Sequence, residues 1–316
     1  MRVSPRTAPL LVLAGVVSVQ FGGALAATLV PRIGATGSVL LRLLFATLIL
    51  YAFARPSWRG HSRSDWVTVV LFGLALAAMN TTFYASLAHL PIGVAVTVEF
   101  LGPLTLAAVL SRRARDLLAV LAAAVGVALV SGAFDNAWDR FDRIGILYAA
   151  AAGAMWAAYI VLSQRTGRAF PGLDGLAIAL VFSSLAVAPL GLLTVGSWTW
   201  RDVWLGLGIA VLSSVLPYSL ELVALRHLAQ RVFGVLLSLE PAVAAVAGFV
   251  VLSQVLDPAQ VAGMALVVVA SVLVLGSRAP VRPADGDDAP IDAVDAVDAV
   301  DAVEPRDAAG TTVGPG

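Results

Sequence analysis

The 316-residue chain is 59% hydrophobic and only 13% charged, and its mean hydropathy of +0.92 excludes an ordinary water-soluble globular protein. Its 20 basic residues, all arginine, balance 20 acidic ones, so bulk charge gives no reason to expect a nucleic-acid partner. With no cysteine, disulfides, thiolate metal sites and a cysteine nucleophile are excluded.

A helix needs about 20 mostly apolar residues to cross about 30 Å of hydrocarbon. Ten stretches meet or approach this length, at 8–30, 36–54, 65–87, 93–111, 116–134, 143–163, 173–195, 203–225, 231–252 and 258–277. They are continuously apolar and rich in Leu, Ala, Val and Gly, without the alternation of a membrane barrel, which predicts an all-α integral membrane protein.

The first stretch follows Arg2 and Arg6, and Ala24-Leu25-Ala26 imitates a signal-peptidase site. Its length and its Gln20 suit a retained span better. The second carries Arg42, which can clamp a carboxylate or snorkel its charge to the surface. In the third, Asn80 and Tyr84 are four residues apart and share a helix face. The fourth contains Glu99-Phe-Leu-Gly-Pro103. A carboxylate in hydrocarbon is costly, on the order of 2.5 to 3.5 kcal/mol on insertion scales, so intramembrane acids are functional candidates.

After a joining stretch around Asp135 to Arg143, the sixth span places Trp156 and Tyr159 three residues apart. The eighth holds Ser213-Ser214, Pro217, Tyr218 and Glu221; Glu221 lies close to Arg226, and an interfacial ion pair accounts for it. No base accompanies the serines, so they do not read as a nucleophile. The ninth holds Glu240-Pro241, with Glu240 near the midplane. Pro103 and Pro241 each remove a backbone donor beside an acid; they read as kinks that fix helix packing, or as sources of a free carbonyl. Glycines such as Gly22, Gly23, Gly102 and Gly153 read as close packing surfaces. Beyond residue 277, Asp recurs every three residues from Asp292 to Asp301, the composition of a disordered acidic tail.

A self-alignment shifted by 138 residues lays Gly15 on Gly153, His89-Leu90 on His227-Leu228, and Pro103 on Pro241. This predicts two five-span repeats, residues 1–137 and 138–277, with the tail at 278–316. An odd number of spans inserts the second copy upside down, the inverted-repeat arrangement of secondary transporters. Under the same shift Asn80 meets Tyr218 and Phe21 meets Tyr159, so a two-fold pocket would collect polar groups from both copies. With both termini cytoplasmic, fifteen arginines face inward and four face outward, as the positive-inside bias requires.

Gln20-Phe-Gly-Gly23, Met79-Asn80, Val98-Glu-Phe-Leu-Gly-Pro-Leu104 with Ser111-Arg-Arg113, Leu216-Pro-Tyr-Ser-Leu-Glu221 and Leu237-Ser-Leu-Glu-Pro-Ala242 resemble the EamA-type branch of the drug/metabolite transporter superfamily over residues 8–277. The resemblance implies ten helices around a central cavity and efflux of small amino acids, of the threonine and homoserine kind, across the bacterial inner membrane. It implies an ion gradient as driving force, with protons the expected coupling ion, and no cofactor. On the matching positions, Gln20, Asn80, Tyr84, Glu99, Trp156, Tyr159, Tyr218 and Glu240 are cavity candidates, with Arg42 as a carboxylate clamp and Pro103, Pro217 and Pro241 as helix kinks. One departure stands out: where the branch often carries Gly-Glu after the ninth span, this chain has Ser253-Gln254. A proton step would then fall to Glu99 or Glu240. The same fold with other cargo (purines, nucleosides, polyamines, drugs) is the alternative, an intramembrane enzyme lacks the necessary constellation, and both monomer and homodimer remain open.

Overall fold

The computed structural model describes residues 7–111, 114–130, 142–225 and 230–276. Among these, every regular element is helical. In chain order they are α1 (Ala8–Ala54), α2 (Arg63–Ser86), α3 (Ile92–Glu99), α4 (Leu101–Ser111), α5 (Ala114–Val130), α6 (Arg143–Ala169) and α7 (Asp174–Gly191). A 3-10 turn (Leu192–Ser197) leads to α8 (Trp200–Ala210), a π-helical turn (Val211–Val215), α9 (Leu216–Leu225), α10 (Gln230–Leu237), α11 (Glu240–Leu252) and α12 (Pro258–Gly276). The joining stretch up to residue 141, Arg112, Arg113, Arg226, the side chain of Glu221 and the acidic tail lie outside the described residues.

Six helical stretches are long and apolar enough to cross a membrane, and Leu118–Leu129 and Pro258–Val274 are shorter apolar helices. The chain is a multi-pass membrane protein. Helices dominate because hydrocarbon offers backbone groups no partner but one another. Polar caps close some of their ends. Ser62 and Asp65 form a reciprocal capping box at the start of α2, and Thr199 and Asp202 repeat it at α8.

The two expected stretches at 8–30 and 36–54 follow one another without a long loop. α1 covers both, 47 residues in all, as two helical segments that meet at a kink. Its bend is at Gly34, whose φ of 76° and ψ of 166° only glycine adopts without strain, three residues after Pro31. The fourth and ninth stretches are instead interrupted. Phe100 separates α3 from α4, and the Ser238-Leu239 turn separates α10 from α11, in each case just before the proline expected to kink it.

The helices pack in a definite pattern. α2 lies along α6, and α1 along α8, α9 and α11; α6 also meets α3 and α4, α3 meets α11, α5 meets α12, and α7 meets α1 and α2. Small residues set the approach: Gly102 and Gly153 face each other, and a Cβ at Gly153 would lie 2.5 Å from the Glu99 carbonyl oxygen. The largest core gathers Leu29, Ile33, Leu40, Leu43, Leu76, Tyr84, Ile178 and Ile209 from α1, α2, α7 and α8.

Candidate functional site

Arg42 does not snorkel. It is buried, at 9% exposure, and its guanidinium turns into the bundle, where Nη1 donates to Asn80 Oδ1 at 2.6 Å and to Tyr84 OH at 3.4 Å. Nε donates to Ser214 Oγ at 3.3 Å, and Nη2 donates to the Ser213 carbonyl at 3.1 Å. The Tyr84 ring lies 5.7 Å from the guanidinium carbon, within cation–π range. Asn80 and Tyr84 do share a helix face, because both are needed to receive one side chain; Asn80 Nδ2 in turn donates to the Leu76 carbonyl at 2.8 Å.

Every acceptor around Arg42 is neutral. Glu99, also buried, interacts with it electrostatically, whereas Arg32 pairs with Asp202 and His89 with Asp142. Tyr218 adds to the same electrostatic environment. Guanidinium and carboxyl group thus interact within one low-dielectric region.

The second polar contact joins α1 to α11. Gln20 Nε2 donates to Glu240 Oε2 at 3.3 Å, with the side chains 5% and 8% exposed. Gln20 and Arg42 are both on α1, so this one helix reaches α2, the π turn and α11. Trp156 and Tyr159, expected on one face of α6, reach different neighbours: Trp156 meets Phe100 edge-on at 5.7 Å, at the α3–α4 break, whereas Tyr159 packs on Phe72 of α2 at 5.2 Å. Both are partly buried, as is Tyr218; Pro217 and Pro241 are buried and Pro103 partly so.

Ser213 and Ser214 were missing from the expected site. Their signal is the spacing to Pro217. A proline carries no N–H, so the carbonyl four residues earlier, that of Ser213, has no helical donor and is taken by Arg42. The π turn frees the preceding carbonyl too: the Leu216 N–H reaches back to Val211, and the Leu212 carbonyl accepts from Ser18 Oγ at 2.7 Å. Two adjacent carbonyls of this segment are therefore held by two side chains of α1. Gly22 permits that proximity, since a Cβ there would meet Ser213 Oγ.

Gln254, the departure noted above, accepts the Ile92 N–H at 3.1 Å and so caps α3. Ser253 before it closes α11 in the left-handed conformation, φ 54°, which favours glycine. His89, expected in a loop, pairs through Nδ1 with Asp142 Oδ2 at 2.8 Å, while Asp142 Oδ1 accepts the Gly145 N–H and caps α6. The bond from Gly145, followed by that from His89, holds the Asp142 carboxyl below its ordinary range. A cavity of about 550 Å³ lined by Leu25, Thr28, Arg32, Arg201, Trp204 and Leu205 opens between α1 and α8, and none of the residues expected to bind substrate lines it.

The EamA-like transporter family matches residues 143–276. The chain is 39% identical over 286 residues to the threonine/homoserine exporter RhtA of Escherichia coli K12, covering 89% of this chain and 95% of the relative. It is 39% identical over 285 residues, with the same coverage, to the threonine/homoserine exporter RhtA of Salmonella typhimurium. A solved crystal structure superimposes with a TM-score of 0.60 at 18% identity, covering 86% of this chain and 99% of that one, a likeness of fold alone. With identity of this extent along almost the whole of the exporters, the chain belongs to the EamA-like transporter family.

Proposed function

We propose that the protein is a secondary exporter of small zwitterionic amino acids, threonine and homoserine among them, in the bacterial inner membrane. The observation that carries this reading is the burial of Arg42 and Glu99, a base and an acid that interact electrostatically, inside an apolar bundle. A free amino acid presents a carboxylate and an ammonium a few ångströms apart. The guanidinium suits the first and a carboxylate the second, and Asn80, Tyr84, Gln20 and Glu240 supply neutral or acidic partners around them. The RhtA relatives, named for threonine and homoserine export, support the same cargo.

Ten helices in two inverted repeats, 1–137 and 138–277, form the scaffold. The packing supports this. Under the 138-residue shift, the α2–α6 contact maps onto the contact of α8 and α9 with α1, and that of α3 and α4 with α6 maps onto α10 and α11 with α1. The pair α5–α12 maps onto itself, as does the contact of α7 with the second half of α1, as pairs straddling a two-fold axis must. The long α1 then supplies two spans bent at Gly34, and both termini face the cytoplasm. Alternating access follows from rocking one repeat against the other around the shared site. Protons drive the cycle by antiport, Glu99 or Glu240 exchanging a proton while the substrate ammonium competes for the same negative charge. Ten helices make a monomer self-sufficient, without requiring a homodimer.

The test is reconstitution of the purified chain in proteoliposomes, with labelled threonine and an imposed pH gradient. Uptake against the substrate gradient that collapses with a protonophore supports the proposal. Threonine flux indifferent to the pH gradient removes the proton coupling, and no flux of any amino acid removes the function.

A further inference from the structure

We infer that Pro217 is a positioning residue for recognition of the substrate carboxylate: by carrying no N–H, it leaves the Ser213 carbonyl to Arg42, which keeps the guanidinium inside the bundle. The inference rests on the amino-acid reading above. A lone arginine in a membrane helix swings its charge to the nearest polar surface unless internal acceptors hold it. Arg42 has four, and two of them, the Ser213 carbonyl and Ser214 Oγ, belong to the π turn just before Pro217. Any other residue at 217 restores an N–H directed at the Ser213 carbonyl, the ordinary helical partner four residues back. That donor competes directly with Nη2 of Arg42.

The local geometry agrees. The π turn shifts the Leu216 N–H to Val211, so it does not reach the Leu212 carbonyl, and Pro217 has no N–H to give the Ser213 carbonyl. Ser18 takes the first and Arg42 the second. The two bonds differ in kind: Ser18 ties helices together, whereas Arg42 brings a full charge. Its hydrogen-bond acceptors are all neutral, so no carboxylate is bonded to the guanidinium. An incoming carboxylate replaces neutral acceptors on a guanidinium held within the bundle.

Full-length protein in detergent is tested by competition of L-threonine and L-threoninamide, which lacks the carboxylate, against labelled threonine. Wild-type protein prefers the acid, and Arg42→Gln abolishes the preference. Pro217→Ala lowers the preference about tenfold, the loss of one charge-assisted hydrogen bond, with the number of binding sites unchanged. Ser18→Ala, which cuts the neighbouring tie, keeps the wild-type ratio. Pro217→Gly restores the same N–H and serves as the second variant should the alanine protein fail to elute as a single species. An unchanged ratio in a folded Pro217 variant, with collapse in Arg42→Gln, overturns the positioning role alone. An unchanged ratio in Arg42→Gln overturns the carboxylate reading and this inference with it, and an equal fall in Ser18→Ala reduces the effect to helix packing.

Discussion

Arg42 was readable in the sequence only as a choice, clamp or snorkel, and snorkelling was ruled out by residues on two other segments, α2 and the π turn. Asn80 and Tyr84 of α2 were legible as a pair from their spacing; that they face an arginine on α1 was not, because nothing local links residue 42 to residue 80. Removing the charge while keeping hydrogen bonding, as in Arg42→Gln, is expected to cut threonine efflux about a hundredfold, since hydrogen bonds to charged groups contribute about 1.5 to 3 kcal/mol each. Initial efflux rates at saturating and limiting threonine check this. Glu99→Gln and Glu240→Gln are expected to abolish proton-coupled efflux while leaving membrane insertion intact. If both single variants and the double variant retain coupled efflux, the carboxylate mechanism is wrong.

Helix ends and helix breaks carry the next set of consequences. Ser253 holds a left-handed conformation at the end of α11, so Ser253→Gly is expected to stabilise the protein by about 1 kcal/mol, read as a higher melting temperature in detergent. Gln254→Ala removes the acceptor of the Ile92 N–H and is expected to lower stability by about 1 kcal/mol in the same assay. The resemblance placed a glutamate at this position and raised the question of a proton step; the structure gives the glutamine an architectural task at the start of α3. Asp142 presents a pH-dependent case. Its carboxyl titrates below the ordinary 3.8 when folded, so its contribution is complete above that value and is lost as pH falls through the lowered one. Melting curves are expected to differ between wild type and Asp142→Asn above pH 3.8 and to draw together as pH falls below it.

At the scale of the molecule, the inverted arrangement makes one demand that packing alone does not meet: equivalent loops must emerge on opposite sides of the bilayer. The chain contains no cysteine, so Ala88→Cys and His227→Cys can each be labelled with a membrane-impermeant maleimide in intact cells. Position 88 is expected to react from outside and position 227 only after permeabilisation; labelling of both from one side would dismantle the two-repeat scaffold. Much of this frame was legible in the amino-acid order, because hydrocarbon forces spans into long apolar runs, and duplication leaves Pro103 and Pro241 in register across 138 residues. The same order left open how the first two spans connect; a single non-helical glycine, Gly34, turns the chain between them. It also exposed Arg42, Glu99 and Glu240 as buried ionisable residues, because such residues are scarce in apolar spans. What the tertiary structure decided was partnership: Gln20 with Glu240, and Arg42 with Asn80, Tyr84 and two carbonyl-side neighbours of a proline 175 positions away. Hydropathy is a property of each segment by itself, whereas a hydrogen bond between spans depends on helix rotation, and only packing against neighbouring helices sets that angle.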